Sequence, residues 1–118
     1  MAEQDPNLNL IYGWEFRESG WKPGMDANLK KLGAITQLAA LAITNDPPAA
    51  PADGDRHIIG IGTGVWAGKD NQIAVRVAGA WEYYAPAEGW LCSVKSIGEI
   101  QVFSSGSWAA LKIDGGIW

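Results

Sequence analysis

Val75-Arg76-Val77-Ala78-Gly79-Ala80-Trp81-Glu82-Tyr83-Tyr84 and, farther along, Gln101-Val102-Phe103-Ser104-Ser105-Gly106-Ser107-Trp108-Ala109-Ala110-Leu111 write the same phrase twice. Each has a β-branched or aromatic run, a small-residue turn ending in Gly, and a second run opened by Trp. That pattern is a β-hairpin signature. Glycine adopts positive φ without steric cost, so a Gly two residues before Trp suits a tight turn whose next strand begins with a large aromatic. Gly64-Val65-Trp66 and Gly116-Ile117-Trp118 repeat the Gly-x-Trp unit, and Gly89-Trp90 shortens it. Four or five Trp-led strands imply one small β domain.

Strand side chains alternate, so Trp81 and Tyr83 share one face and Glu82 and Tyr84 the other. This puts Trp81 and Tyr83 in the core and leaves Tyr84 as a candidate exposed contact. The chain has seven Trp in 118 residues, and each large aromatic buries roughly 150–250 Å². These rings can form a core that the few Leu and Ile of the C-terminal part could not. Trp66, in a glycine-rich loop, and Trp118, at the chain end, are the expected exceptions that face solvent.

Upstream of the β domain, Met25 to Ile43 reads as the one helix. Pro23 suits a helix start, Asp26 falls in the first turn, and Leu29, Leu32, Thr36, Ala39 and Ile43 follow helical spacing. From Ala34 onward only Thr36 and Gln37 are polar, so this half is apolar nearly all round and must be covered on most sides. One small sheet covers one side. Helices of other copies would cover the rest, through Leu29, Leu32, Ile35, Leu38, Ala39 and Ile43, as in a short parallel bundle. The alternative is a helix packed only on its own domain.

Residues 1–24 are too rich in Gly, Pro and Asn for helix and read as an extended arm with one short strand near Leu10 to Phe16. An arm carrying Tyr12, Trp14 and Trp21 is expected to dock, either on its own chain or on a neighbour. Thr44 to Asp55 is a stiff Pro-rich connector closed by an Asp-Gly turn. Arg56 to Ile61 is a strand, and Gly60 to Gly68 a turn. Trp90 to Val94 is another strand, followed by a turn at Lys95 to Gly98. The expected fold is therefore α+β, mainly β: arm 1–24, helix 25–45, and a small Trp-rich antiparallel β domain of hairpins over 46–118.

The net charge of −4 with scattered lysines argues against nucleic acid as a partner. A single cysteine, Cys92, rules out an intrachain disulfide framework and reads as a buried thiol. Met1-Ala2-Glu3-Gln4-Asp5 lacks the basic, then apolar, character of a signal peptide. No apolar run reaches the ~20 residues that span a bilayer. The expectation is a soluble protein made in the cytoplasm.

Gly20-Trp21-Lys22-Pro23-Gly24-Met25-Asp26-Ala27-Asn28-Leu29-Lys30-Lys31-Leu32 resembles a phrase near the N-termini of bacteriophage fibre and tail proteins. Pro47-Pro48-Ala49-Ala50-Pro51-Ala52-Asp53-Gly54-Asp55-Arg56-His57-Ile58-Ile59-Gly60 resembles the phage-related DUF2793 domain. So do the later phrases Gly64-Val65-Trp66-Ala67-Gly68, Ile73-Ala74, Gly79-Ala80-Trp81 and Pro86-Ala87-Glu88-Gly89-Trp90. The resemblance covers roughly residues 20 to 110. His57 stands where an aromatic such as Tyr is more usual, which suggests a half-buried ring. The resemblance implies a virion component of tailed phages, prophages or gene transfer agents, and supplies no catalytic residues.

Candidate chemistry is sparse. His57 is the only histidine, and neither it nor Cys92 sits in a nucleophile motif. One Cys and one His cannot complete a tetrahedral metal site. Asp46, Asp53 and Asp55 lack the ligand series of a calcium loop and read as turn residues. Glu82 and Glu88 form a conceivable glycosidase pair, without a recognisable groove. The expectation is no enzyme and no cofactor. Instead the chain is read as a virion structural protein, made in the host cytoplasm, that forms or anchors a tail or head fibre or spike. It would be a homo-oligomer, with a trimer favoured over a pentamer, attached to other virion proteins through Tyr12, Trp14 and Trp21. The alternative is a carbohydrate-binding module that touches host glycan with Trp66, Tyr84 and Trp118.

Overall fold

In the computed structural model, which describes residues 2–111, α1 spans Trp21–Ile35, so the helix starts before Met25 and stops well short of Ile43. The early start is allowed because the first N–H groups of a helix have no intrahelical acceptor, so Pro23 in the first turn forfeits nothing. Gly20, in the left-handed region with φ 82, precedes it. At the other end Thr36 turns extended while its N–H still donates to the Leu32 carbonyl, and Gln37 takes φ 49.

The chain divides here into two compact units, one ending at Thr36 and one beginning at Gln37. In the first, β1 (Glu3–Gln4) and β2 (Ile11–Tyr12) pair antiparallel, Glu3 opposite Tyr12. The Asp5 carboxylate organises their loop by accepting the N–H groups of Asn7 at 2.9 Å and Leu10 at 2.8 Å. Those bonds, Leu10's foremost, hold the Asp5 carboxyl below the usual range. The arm docks on its own helix: Asn28 accepts the Ile11 N–H at 2.7 Å and donates to the Ile11 carbonyl at 2.6 Å, as a paired strand would. Gly24 is the notch that admits the arm, since a Cβ there would stand 2.8 Å from the Trp14 ring. That contact explains a glycine inside a helix, which costs about 1 kcal/mol relative to Ala.

In the second unit, the apolar run that reads as half a helix forms two short strands, β3 (Ala39–Ala40) and β4 (Ile43–Thr44). The helical reading of this run is overturned: it is extended, and its own chain covers it only in part, burying Leu38 and Ala40 while Leu41 and Ile43 stay exposed. β3 runs parallel to β8 (Leu91–Val94), and β4 runs parallel to β5 (Arg56–Ile59). At Leu41 the run passes between sheets: its N–H donates to the Arg56 carbonyl at 2.8 Å and its carbonyl accepts the Ser96 N–H at 3.0 Å. The interface positions Leu38, Ala39 and Ile43 are therefore not helical, and Leu38 is a core residue.

The remaining strands are β6 (Ile73–Val77), β7 (Ala80–Tyr84), β9 (Glu99–Ser104) and β10 (Ser107–Ala110). They complete two four-stranded sheets, in the orders β10-β9-β8-β3 and β4-β5-β6-β7. Both quoted phrases fold as the hairpins expected of them, β6–β7 and β9–β10, with two-residue turns at Ala78-Gly79 and Ser105-Gly106, all four residues at positive φ. The class is α+β, mainly β, as the sequence suggests, but the sheets are mixed because β3 and β4 enter parallel to their neighbours. One face of each sheet supplies the main core: Leu38, Ala40, Ile58, Ile73, Cys92 and Val94, with Tyr84, Trp90 and Trp108 closing its sides.

Candidate functional site

The outer face of the β4-β5-β6-β7 sheet carries a second, smaller core. The register sets His57 beside Ala74 and Ala74 beside Tyr83, and sets Arg76 beside Trp81. Over them lies Trp66 from a 3-10 turn, Gly64–Trp66, fully buried against Ile59 and Ala74. Trp66 and Trp81 meet edge to face with centroids 5.1 Å apart, and His57 touches both rings at 5.8 and 6.1 Å. The loop is pinned to hold this lid: Asn45 accepts the Ile61 N–H at 2.8 Å, Asp70 accepts the Gly62 N–H at 2.8 Å, and Asp46 accepts the Thr63 hydroxyl. Gly62 lies so close to the Trp66 carbonyl that any Cβ would collide with it.

Two expected surface aromatics are corrected here. Trp66 is core, not a ligand platform, because the glycines around it let the loop fold down onto the sheet instead of holding the ring out. Tyr84 packs on the main core and donates its hydroxyl to Glu82 at 3.3 Å, since its face of β7 is the one turned to that core. Burial and the neighbouring Glu82 carboxylate raise the Tyr84 phenol above its ordinary value. Trp118 lies outside the described residues. The half-exposed aromatics of this face are instead Trp81 and Tyr83, with Arg76 over the first ring at 5.3 Å and Lys69 over the second at 4.8 Å.

His57 is buried, and neither ring nitrogen has a hydrogen-bond partner among the described residues; nor has the Trp66 indole N–H. Burial lowers the His57 pKa from its ordinary 6.5, with Asp55 pulling weakly the other way. Burial also pushes the Cys92 thiol up, the opposite of what activates a nucleophile. The carboxylates of the candidate sites serve backbone turns. Asp53 accepts the Gly79 N–H at 3.0 Å, Asp55 the Ala52 N–H at 2.9 Å, and Glu88 the Ser105 N–H at 3.1 Å. Asp53 and Glu88 thus each hold one of the two hairpin turns. Among the described residues no group of three His, Cys, Asp or Glu side chains could hold a metal ion.

Among the described residues, apolar side chains are exposed together on two element faces. On α1, Trp21, Leu29 and Leu32 are 50%, 60% and 37% exposed, and at helical spacing with half-buried Met25 they form one stripe. The ion pair of Lys22 with Asp26 at 2.7 Å borders it. Of the arm residues, Tyr12 is exposed and Trp14 half-buried. The other surface is the outer face of the β10-β9-β8-β3 sheet, where Leu91 and Ile100 are about half exposed. The sequence reading missed this face because Leu91, Ser93, Ile100 and Val102 do alternate, but alternation does not say which side a partner sheet will take.

No match is found among curated proteins. The family model described as a protein of unknown function, DUF2793, matches residues 25–109, most of the chain and nearly all of the two-sheet unit. The chain belongs to the DUF2793 family.

Proposed function

We propose that this chain is a self-associating structural subunit of a phage or phage-like particle, one that forms or anchors a tail or head fibre or spike. The observation that carries the reading is the stripe of Trp21, Leu29 and Leu32, left open to solvent on a helix whose adjoining strip, at Gly24 and Asn28, is already occupied by the arm. Contiguous exposed apolar surface flanked by charges marks an interaction site. The resemblance of residues 20–32 to the opening of fibre proteins points the same way. In this reading α1 joins copies to one another, a trimer being the favoured arrangement, and Tyr12 and Trp14 on the arm meet other virion proteins. Catalysis has no role.

Sedimentation of the full chain tests it. The wild-type chain is expected to form species larger than a dimer at micromolar concentration, and Leu29→Glu with Leu32→Glu to abolish those larger species while circular dichroism is unchanged. A wild-type chain no larger than a dimer would defeat the proposal. Immunogold labelling of purified particles then tests the virion location directly.

One observation favours the second reading, recognition of a host surface glycan. Trp81 and Tyr83 are half-exposed side by side on one sheet face with two cations against them. Titration with host polysaccharide, followed by Trp fluorescence, should then saturate in the wild-type chain and not in Tyr83→Ala.

A further inference from the structure

Among the described residues, β10 is the terminal strand of the β10-β9-β8-β3 sheet, in unbroken antiparallel register with β9 from Ser107 opposite Ser104 to Ala110 opposite Gln101. The Leu111 N–H donates to the Ile100 carbonyl at 2.8 Å. Hydrogen-bonded pairs alternate along an antiparallel ladder, so Ala109 bonds to Val102, while the N–H and C=O groups of Trp108 and Ala110 point away from β9. Edges of this kind are normally blunted by Lys, Pro, inward charges or a bulge. β10 reads Ser-Trp-Ala-Ala and has none of these, whereas the edge strand β7 of the other sheet carries Glu82 at its centre. β10 is also held firmly in place: the Trp108 indole donates to the Asn71 carbonyl at 2.8 Å, and Asn71 donates to the Gly106 carbonyl at 3.3 Å.

We propose that β10 pairs antiparallel with β10 of a second copy of this chain, across a two-fold axis at Ala109. The inference rests on the reading above only in taking the chain to self-associate, and it uses a different surface. The strand is complementary to itself in this register. Trp108 faces Ala110 of the second copy, Ala110 faces its Trp108, and Ala109 faces Ala109 on the axis. Trp108 and Ala110 are the residues whose backbone groups point outward, so both outer pairs are hydrogen-bonded pairs and the axial pair is the close, non-bonded kind. A close axial pair requires a small side chain, and Ala supplies it. Large meets small on one face, and no charge meets its like. On the other face Ala109, Val102 and Leu91 lie in one row, with Ile100 and Ser93 in the next, so the two copies join their charge-free faces into one surface across eight strands. A closed two-fold contact uses the same patch on both copies, as an isologous interface must.

The experiment is sedimentation equilibrium of the full chain carrying Leu29→Glu and Leu32→Glu, which removes the helix stripe and leaves the edge. The expected species is a dimer. Adding Ala109→Lys, or separately Ala109→Glu, sets like charges opposite each other on the axis and should weaken the dimer at least tenfold. Mixing the Lys and Glu chains should restore a dimer containing one of each. Ala110→Pro removes one outward N–H without touching the β9 ladder and should also give monomer, with circular dichroism unchanged in every case. A monomer before any change at residue 109, or a dimer indifferent to the charges and to Pro, overturns the proposal. The effect of the helix substitutions on wild-type association is read separately and decides the helix stripe alone.

Discussion

The hairpins β6–β7 and β9–β10 are local copies of one another, yet their tryptophans go to opposite sides of their sheets. Each Trp is the second residue after the turn Gly, each turn has two residues at positive φ, and each turn is held by a carboxylate from an earlier loop, Asp53 or Glu88. Trp81 nevertheless joins Trp66 on the outer face of its sheet, whereas Trp108 points inward onto the core of Leu38, Cys92 and Val94. The hairpin determines its own turn and register. What lies across each face is decided elsewhere, by the loop that lays Trp66 on one sheet and leaves the other sheet bare.

The largest effect that would break this comparison is at the two indoles. Trp66 is wholly buried and is the largest side chain of its small core, so Trp66→Ala should cost about 3–5 kcal/mol. Trp108 is half-buried and gives one hydrogen bond to Asn71, so Trp108→Ala should cost less, about 2 kcal/mol. Urea unfolding of both variants checks the order. Equal costs would mean that the lid over the outer face is no more than surface decoration.

How much of this was legible follows from where the information sits. The turns Ala78-Gly79 and Ser105-Gly106 could be read because their chemistry is local. The helix could be read as far as Ile35 and was then overextended, because Leu38-Ala39-Ala40-Leu41-Ala42-Ile43 is a short apolar run, and periodicity alone does not separate a buried strand from a buried helix. Backbone partners decide it, the acceptor on Arg56 and the donors on Ile58, Ser93, Lys95 and Ser96 among them, and these are distant in sequence. Trp66 was misplaced for the same reason. Its glycine-rich surroundings signal a loop, and the bond that Asn45 accepts from Ile61, which helps fold the loop inward, comes from sixteen residues away. The edge character of β10 is a matter of topology, which the phrase Ser107 to Ala110 does not encode.

A middle-sized effect separates the two cores by pH. His57 sits only in the outer one, between Trp66 and Trp81, with Asp55 and Arg76 the nearby charges. Its folded pKa is depressed by burial, so the unfolded chain binds the proton more readily than the folded one. Stability is therefore fully present above the ordinary 6.5 and falls as pH drops through that value toward the folded pKa. His57→Phe should flatten the stability curve below the ordinary 6.5 and, by removing two unpaired ring nitrogens, raise stability at neutral pH by about 1 kcal/mol. A curve that keeps its slope in the variant would place the titration in another group. The Asp5 carboxyl does not compete for this window: its pKa is lowered below 3.8, so its contribution is lost only in stronger acid.

The smallest effect concerns the turns themselves. Ala78 holds φ 50 and Ser105 φ 56, at the first central position of turns that prefer Asn, Asp or Gly there. Neither is the best choice, but they are not equally poor. Alanine has no side-chain group to offset the left-handed backbone, whereas serine can hydrogen-bond locally. Ala78→Asn should therefore stabilise the chain by about 0.5–1 kcal/mol, and Ser105→Asn by about half as much, because each relieves strain that the strands on either side impose. If the two gains are measured in reverse order, the strain lies in the β9–β10 turn, and the equivalence of the hairpins ends at their sequences.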